Sequence, residues 1–361
     1  MDYYDLFNWI LIGCIILSCL ALMFSHKSYE ESVVSKVLIL SFCLLCIFYW
    51  GVRPSFVGTD TGYYIRRFNF AISYSSLGDY FNYISGDYFF GFIVYYISRL
   101  GSITFYFISI AFFTMLGFYV FFMKLARYHT HAILALLMVA SMFSFPGMLS
   151  NIIRNGLAIS FFLPCTYYTL QKDYKYAVLW GLASILSHES ILLPIIGLLV
   201  IHFVRLPLKY YLLGYLACSL MAFANIGLHS FGFIFDFDIE KLNHYMNAEI
   251  DIYKVGFRID FYLFNTLFLL VFLALRNSSI AFDRYLKLYI FLSSVFFLCF
   301  HIPFSDRFGI YSWVFIPIVL FLGTEHYNPK FRFAFSTLAT FMLYFINQLV
   351  YMYMNVPTPD N

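Results

Sequence analysis

The chain has 361 residues, 62% of them hydrophobic and 11% charged, with 22 Lys and Arg against 19 Asp and Glu for a formal net charge of +3. Charge falls below half of what a soluble domain carries, and a soluble fold cannot hide so large an apolar fraction, because its surface must be polar somewhere. These figures exclude a soluble globular enzyme, a disordered chain and a nucleic-acid binder built on a basic face, and leave an all-α, polytopic integral membrane protein.

The first ten residues, MDYYDLFNWI, carry acids and no Lys or Arg. They lack the positive region of a cleaved signal peptide and read as the start of a retained first helix. At roughly 20 apolar residues per crossing, about ten crossings are expected, near 6–25, 36–52, 101–123, 132–149, 152–170, 209–224, 259–275, 285–302, 308–325 and 331–351. Residues 88–98 are apolar but too short to span. The stretch 175–204 is too long for one helix, and Ser187-His188-Glu189-Ser190 interrupts it. Two half-helices or one long tilted helix would each accommodate it.

Positive charge decides between them. With the N-terminus outside and 175–204 as a hairpin entering from the cytoplasm, Lys27/Lys36, Lys124/Arg127, Lys172/Lys175, Arg205/Lys209, Arg276/Arg284/Lys287 and Lys330/Arg332 all fall on the cytoplasmic side. One long helix would place Arg205 and Lys209 outside and invert every later loop. The expected organisation is a single membrane domain over 1–361, with extracytoplasmic loops near 53–87 and 225–258. The seven cysteines sit in apolar runs, the CxxC of Cys43 and Cys46 included. They read as small core hydrophobes, with neither a disulfide nor a metal site.

This topology gathers the remaining polar residues on the outer side: Arg53, Asp60, Arg66 and Arg67, then Arg154, His188, Arg258 and Asp306-Arg307. Outward arginines oppose the usual bias, so another reason must hold them there. An outward-facing anion site would.

Four constellations carry the chemistry. In Arg53-Pro-Ser-Phe-Val-Gly58-Thr59-Asp60-Thr61-Gly62-Tyr63-Tyr64, two glycines flank a turn of donors and a carboxylate. Asp60 can equally cap the helix that Tyr64, Arg67 and Phe68 announce. In Asn151-Ile-Ile-Arg154-Asn155-Gly156, Arg154 can simply snorkel from the first turn of an apolar helix. The Asn155 and Gly156 that follow favour packing inside a bundle, and an ionisable group at this depth points to function. His188-Glu189-Ser190 offers a proton acceptor, or a histidine merely hydrogen-bonded to a neighbouring helix. Leu192 stands where HExxH needs its second His, so a zinc protease is excluded. His301 is the rival base. Arg307 and Tyr311 share a helix face at i and i+4, beside a local Asp306–Arg307 interaction. Asp236-Phe-Asp238 is a DxD able to hold a divalent ion, read here as solvated charges. No P-loop, GxSxG elbow or metal-spaced Cys/His cluster occurs.

The order Arg-x4-Gly-Thr-Asp-x2-Tyr, Ile-Arg-Asn-Gly-Leu-Ala, Ser-His-Glu-Ser and Arg-x3-Tyr, over roughly residues 35 to 320, resembles the EpsG family, which belongs with the Wzy-type polysaccharide polymerases. Asn155 stands where such relatives commonly show Gln. The resemblance implies a multi-pass protein of the bacterial inner membrane that joins undecaprenyl-pyrophosphate-linked oligosaccharide units into O-antigen, capsule or exopolysaccharide. Donor and acceptor, membrane lipid and a chain-length regulator would be its partners, with no nucleic acid and no cofactor. Arginines suit a lipid pyrophosphate leaving group, and a sugar hydroxyl acceptor needs a base. On that reading Arg53, Arg154, Asn155, Arg258 and Arg307 bind pyrophosphate or glycan together with Tyr63, Tyr64 and Tyr311. His188 is the base, Asp60 orients donor or acceptor, and no metal takes part. A flippase would spread its charges through the depth of the bundle. An O-antigen ligase would perform the same chemistry on another acceptor.

Overall fold

The computed structural model describes residues 2–25, 28–84, 86–231, 255–276 and 279–354, and the regular structure among them is helical throughout. Lys27, the Asp236/Asp238 pair and most of the 225–258 loop lie outside the described residues. The chain packs as two compact units, Met1–Ile195 with Asn328–Asn361, and Ile196–Tyr327.

The first unit holds α1 (Tyr3–Met23), α2 (Ser28–Gly51), α3 (Thr61–Ile72), α4 (Leu77–Ile84), α5 (Tyr88–Ser98), α6 (Ile103–Ala126), α7 (Ala132–Ala140), α8 (Ser144–Ser150), α9 (Ile153–Leu170) and α10 (Tyr174–Ser187). A 3₁₀ turn (Glu189–Ile191) leads into α11 (Leu192–Phe203), and α17 (Pro329–Met354) returns to this unit. Polar residues mark the helix starts. Asp2 and Asp5 form a reciprocal capping box on α1, and Ser102 Oγ accepts from Phe105 N at 3.2 Å on α6. Close crossings rest on glycine: any Cβ at Gly117 of α6 would strike the Ser160 backbone of α9.

Five helical stretches are long and apolar enough to cross a membrane: Tyr3–Met23, Ser32–Gly51, Ile103–Ala126, Asp306–Gly323 and Pro329–Val350. Shorter apolar helices cover Tyr88–Ser98, Glu189–Phe203, Leu208–Phe223 and Ile259–Ala274. The crossing expected near 132–149 is broken: α7 and α8 are bent by 76° at residues 141–143. At the break the ladder changes to i→i−3 bonds, Met142 N donating to the Val139 carbonyl at 3.0 Å and Phe145 N to the Met142 carbonyl at 2.9 Å, and Pro146 falls in the first turn of α8, where its missing N–H is tolerated.

The 53–87 stretch folds into α3 and α4, whose apolar faces meet α5, α6 and α9 in a cluster that includes Tyr64, Phe68, Tyr80, Phe90, Tyr106 and Ile153. Arg99 ties this assembly down from α5. Its Nη1 donates to the Ala71 and Tyr95 carbonyls at 2.8 and 3.0 Å, and its Nη2 donates to that of Tyr74.

The second unit holds α12 (Leu208–Phe223), α13 (Ile259–Ala274), α14 (Ile280–Leu298), α15 (Asp306–Trp313) and α16 (Phe315–Gly323). A buried polar knot joins three of them. Asn265 Oδ1 accepts from Ser293 Oγ at 3.1 Å and Ser312 Oγ at 3.2 Å, and Tyr289 Oη donates to the Asn265 carbonyl at 2.7 Å. Such side-chain bonds hold helices together where lipid supplies no hydrophobic drive.

Candidate functional site

Two of the sequence motifs meet at the α8–α9 junction. Past the end of α2, Arg53 is only 6% exposed. Its Nη1 donates to the Trp50 carbonyl at 2.8 Å, its Nη2 to that of Ser150 at 3.4 Å, and its guanidinium stacks 4.0 Å from the Phe107 ring centroid. Arg53 therefore staples the loop to α8. Gly58 has φ +91°, and a Cβ there would meet Asn151 Oδ1, the Ser150 carbonyl and Thr61 Oγ1. Thr59 Oγ1 donates to Asn151 Oδ1 at 3.4 Å, and buried Thr61 Oγ1 donates to the Val57 carbonyl at 2.5 Å. Asp60 occupies the N-cap position of α3, yet its side chain makes no capping bond. Capping thus does not explain this acid.

Gly156 lets α9 start against α8, because a Cβ there would collide with the Met148 carbonyl. Arg154 stands in the first turn of α9, and Asn155 beside it is buried in the bundle. Tyr63 and Tyr64 of α3 flank Arg154, the Tyr63 ring centroid lying 5.9 Å from its guanidinium carbon. At the other side α10 stops at Ser187. His188 turns extended (φ −163°, ψ 125°), and the 3₁₀ turn begins. This break is the one that the Ser-His-Glu-Ser interruption predicts.

Arg154 and His188 converge on Asp87, between α4 and α5. Arg154 Nη1 donates to Asp87 Oδ2 at 2.5 Å, and His188 Nδ1 lies 3.2 Å from Asp87 Oδ1. The Asp87 side chain is 9% exposed, against 28% for Arg154 and 26% for His188. A buried acid thus carries two groups that remain accessible. Burial alone would raise the Asp87 carboxyl, but the His188 hydrogen bond and the Arg154 charge outweigh it and hold the group at about 2. Glu189, exposed, stands over the same loop: a Cβ on Gly86 (φ +141°) would strike its Oε1.

Of the site residues expected from sequence, the first unit thus brings Arg154 and His188 onto one carboxylate. Tyr63 and Tyr64 stand beside Arg154, Asn155 follows it, and Arg53 and Asp60 lie in the stapled loop. Arg258, Arg307 and Tyr311 belong to the second unit. There Arg258 forms a two-pronged pair with Asp260 at 3.0 and 2.6 Å, Arg307 lies 4.5 Å from the Phe304 ring centroid, and Tyr311 is buried. The rival base His301 places Nε2 3.0 Å from the Ala222 carbonyl, an acceptor that calls for a proton on that nitrogen. Among the described residues, no three His, Cys, Asp or Glu side chains gather closely enough to hold a metal ion.

Asp87 is the residue that sequence reasoning missed. In Ser85-Gly86-Asp87-Tyr88, before an apolar run, it reads as an ordinary helix cap. The available signal was Gly86 before it, since paired residues with positive φ at a helix start mark a built turn rather than a simple entry.

Helices long enough to cross a bilayer and an Arg–Asp–His centre assembled from three separated stretches define a polytopic membrane protein with a chemically equipped polar site. The chain belongs to the EpsG family, whose sequence model matches residues 36–357, nearly the whole length. Members of that family are Wzy-like polysaccharide polymerases. The comparisons with curated proteins and with solved structures return no match.

Proposed function

We propose that this chain is a glycosyltransferase of the bacterial inner membrane that polymerises undecaprenyl-pyrophosphate-linked oligosaccharide units on the extracytoplasmic face. Family membership supports a polymerase-like role. The observation that carries the chemistry is the convergence of Arg154 and His188, 67 and 101 residues away in sequence, on Asp87.

In the proposed step the acceptor hydroxyl oxygen attacks the anomeric carbon of the donor. A glycosidic C–O bond forms, the C–O bond to the pyrophosphate breaks, and the lipid pyrophosphate departs with the electron pair. His188 takes the hydroxyl proton and releases it to water. A positioned base of this kind contributes about a hundred- to ten-thousand-fold. Arg154 meets the charge that grows on the leaving phosphate. Tyr63, 44% exposed beside it, offers a ring face to a sugar, and Asp60, in the loop that Arg53 staples, a carboxylate to accept from sugar hydroxyls.

Purified protein incubated with a lipid-linked repeat unit tests the reading. A ladder of products is expected, and His188→Gln should abolish it while leaving the protein folded. A single addition to lipid A core would make the protein a ligase, and movement of the lipid without bond formation would make it a flippase.

A further inference from the structure

We infer that Asp87 is a positioning residue that holds His188 with the proton on Nδ1, so that Nε2 receives the acceptor proton, and holds Arg154 by Nη1 so that its remaining nitrogens face the phosphate. The inference rests on the transfer reaction proposed above.

Three observations carry it. Asp87 sits at the N-cap of α5, where an aspartate ordinarily accepts from the helix backbone, yet its side chain makes no capping bond. Both carboxylate oxygens are committed instead, Oδ2 to Arg154 and Oδ1 to His188. The backbone is bent to bring them there: Asp87 is left-handed at φ 50°, and Gly86 before it has φ +141°. Non-glycine residues in that region cost free energy and persist where surrounding structure demands them. Gly86 also clears space for the Glu189 carboxylate, so the turn fits the segment that carries His188.

The chemistry follows from the bonds. An ionised carboxylate only accepts, so the Nδ1 facing Oδ1 must donate, and the neutral ring then keeps its lone pair on Nε2. When Nε2 takes the hydroxyl proton, the ring becomes an imidazolium whose charge the same carboxylate offsets. The bond to Arg154 uses Nη1, and among the described residues Nη2 and Nε carry no hydrogen bond.

The test joins kinetics to nitrogen NMR. In wild-type protein labelled with 15N-histidine, the signal that disappears in His188→Gln should be that of a neutral ring protonated on Nδ1. Protonation on Nε2 would overturn the proposal without any change at Asp87. Asp87→Asn keeps the shape but can turn its amide N–H toward the ring, which favours the other tautomer. It should lower kcat about a hundred- to ten-thousand-fold, with KM for the lipid-linked donor changed by less than about threefold and the NMR signal moved to an Nε2–H ring. Wild-type kcat in Asp87→Asn beside an inactive His188→Gln would overturn the role of Asp87 alone. A full product ladder from His188→Gln would remove the base itself, and the proposed mechanism with it.

Discussion

At Asp87 a carboxylate taken out of water stays ionised because an imidazole and a guanidinium each offer it a hydrogen. Held at about 2, below the ordinary 3.8, it stabilises the fold at every pH above that ordinary value. The contribution fades as pH falls through about 2, where the native carboxylate takes up its proton. The difference corresponds to roughly 2 kcal/mol. The gap in melting temperature between wild type and Asp87→Asn should therefore narrow as pH falls below 4. A gap that closes already near pH 6 would mean that another group governs it. Arg154 admits a sharper substitution. Arg154→Lys keeps the charge but loses the planar fork that reaches Asp87 and a phosphate oxygen together. It should be made in normal amounts yet build polymer at least about tenfold more slowly. Unchanged chain length would leave Arg154 with its pairing to Asp87 and with snorkelling, both of which Lys can supply.

Among the elements, the legible parts were those set by long one-dimensional signals. Apolar runs bounded by caps or charges predict α1, α6, α9 and α17 to within a few residues. The polar tetrad at 187–190 predicts the break after α10 for the same reason: hydrophobicity drops where backbone bonds change partners. Three features were hidden because they depend on contact. The α7–α8 bend is a change of backbone partners within a run that stays apolar, the folding of 53–87 into α3 and α4 follows from a shared aromatic core, and the partners of Asp87 come from distant turns. Arg154 and His188 were readable as unusual, but their common partner was not. Glycines separate contact from composition in a testable way. Gly13 of α1 has nothing within 4 Å of an added Cβ, whereas at Gly156 such an atom meets the Met148 backbone. Gly13→Ala should be neutral or raise stability by up to about 1 kcal/mol through helix propensity. Gly156→Ala should cost about 1–3 kcal/mol by forcing α8 from α9, and lower activity because Arg154 stands two residues away. Thermal unfolding in detergent, with polymer length measured in parallel, checks both; equal melting temperatures would refute the packing argument.

For the whole molecule, the threading proposed for the chain turns on the segment from α10 to α11. Residues 174–203 form helix on both sides of His188. Laid end to end as one helix they would reach about 45 Å, well past the roughly 30 Å hydrocarbon core. Taken singly, the 14 residues of α10 and the 12 of α11 reach about 21 and 18 Å, too short to cross. Two half-helices entering and leaving on one side would satisfy both lengths, and would put Arg205 and Lys209 on the side of the other short basic clusters. Thr59, Asp173, Arg205 and Lys330 are all exposed, so single cysteines placed there are open to reagent. With a membrane-impermeant thiol reagent on intact cells, a cysteine at Thr59 should label, and cysteines at Asp173, Arg205 and Lys330 should label only after the membrane is breached. Outside labelling at Arg205 would mean that α10 and α11 cross together as one bent element, and every later loop would then exchange sides. The proposed catalytic face, built from the α2–α3 loop, the α4–α5 turn and His188, depends on the hairpin only through His188. A cysteine at Glu189, exposed beside that histidine, should therefore label from outside under the hairpin arrangement, and less when the lipid-linked donor occupies the site.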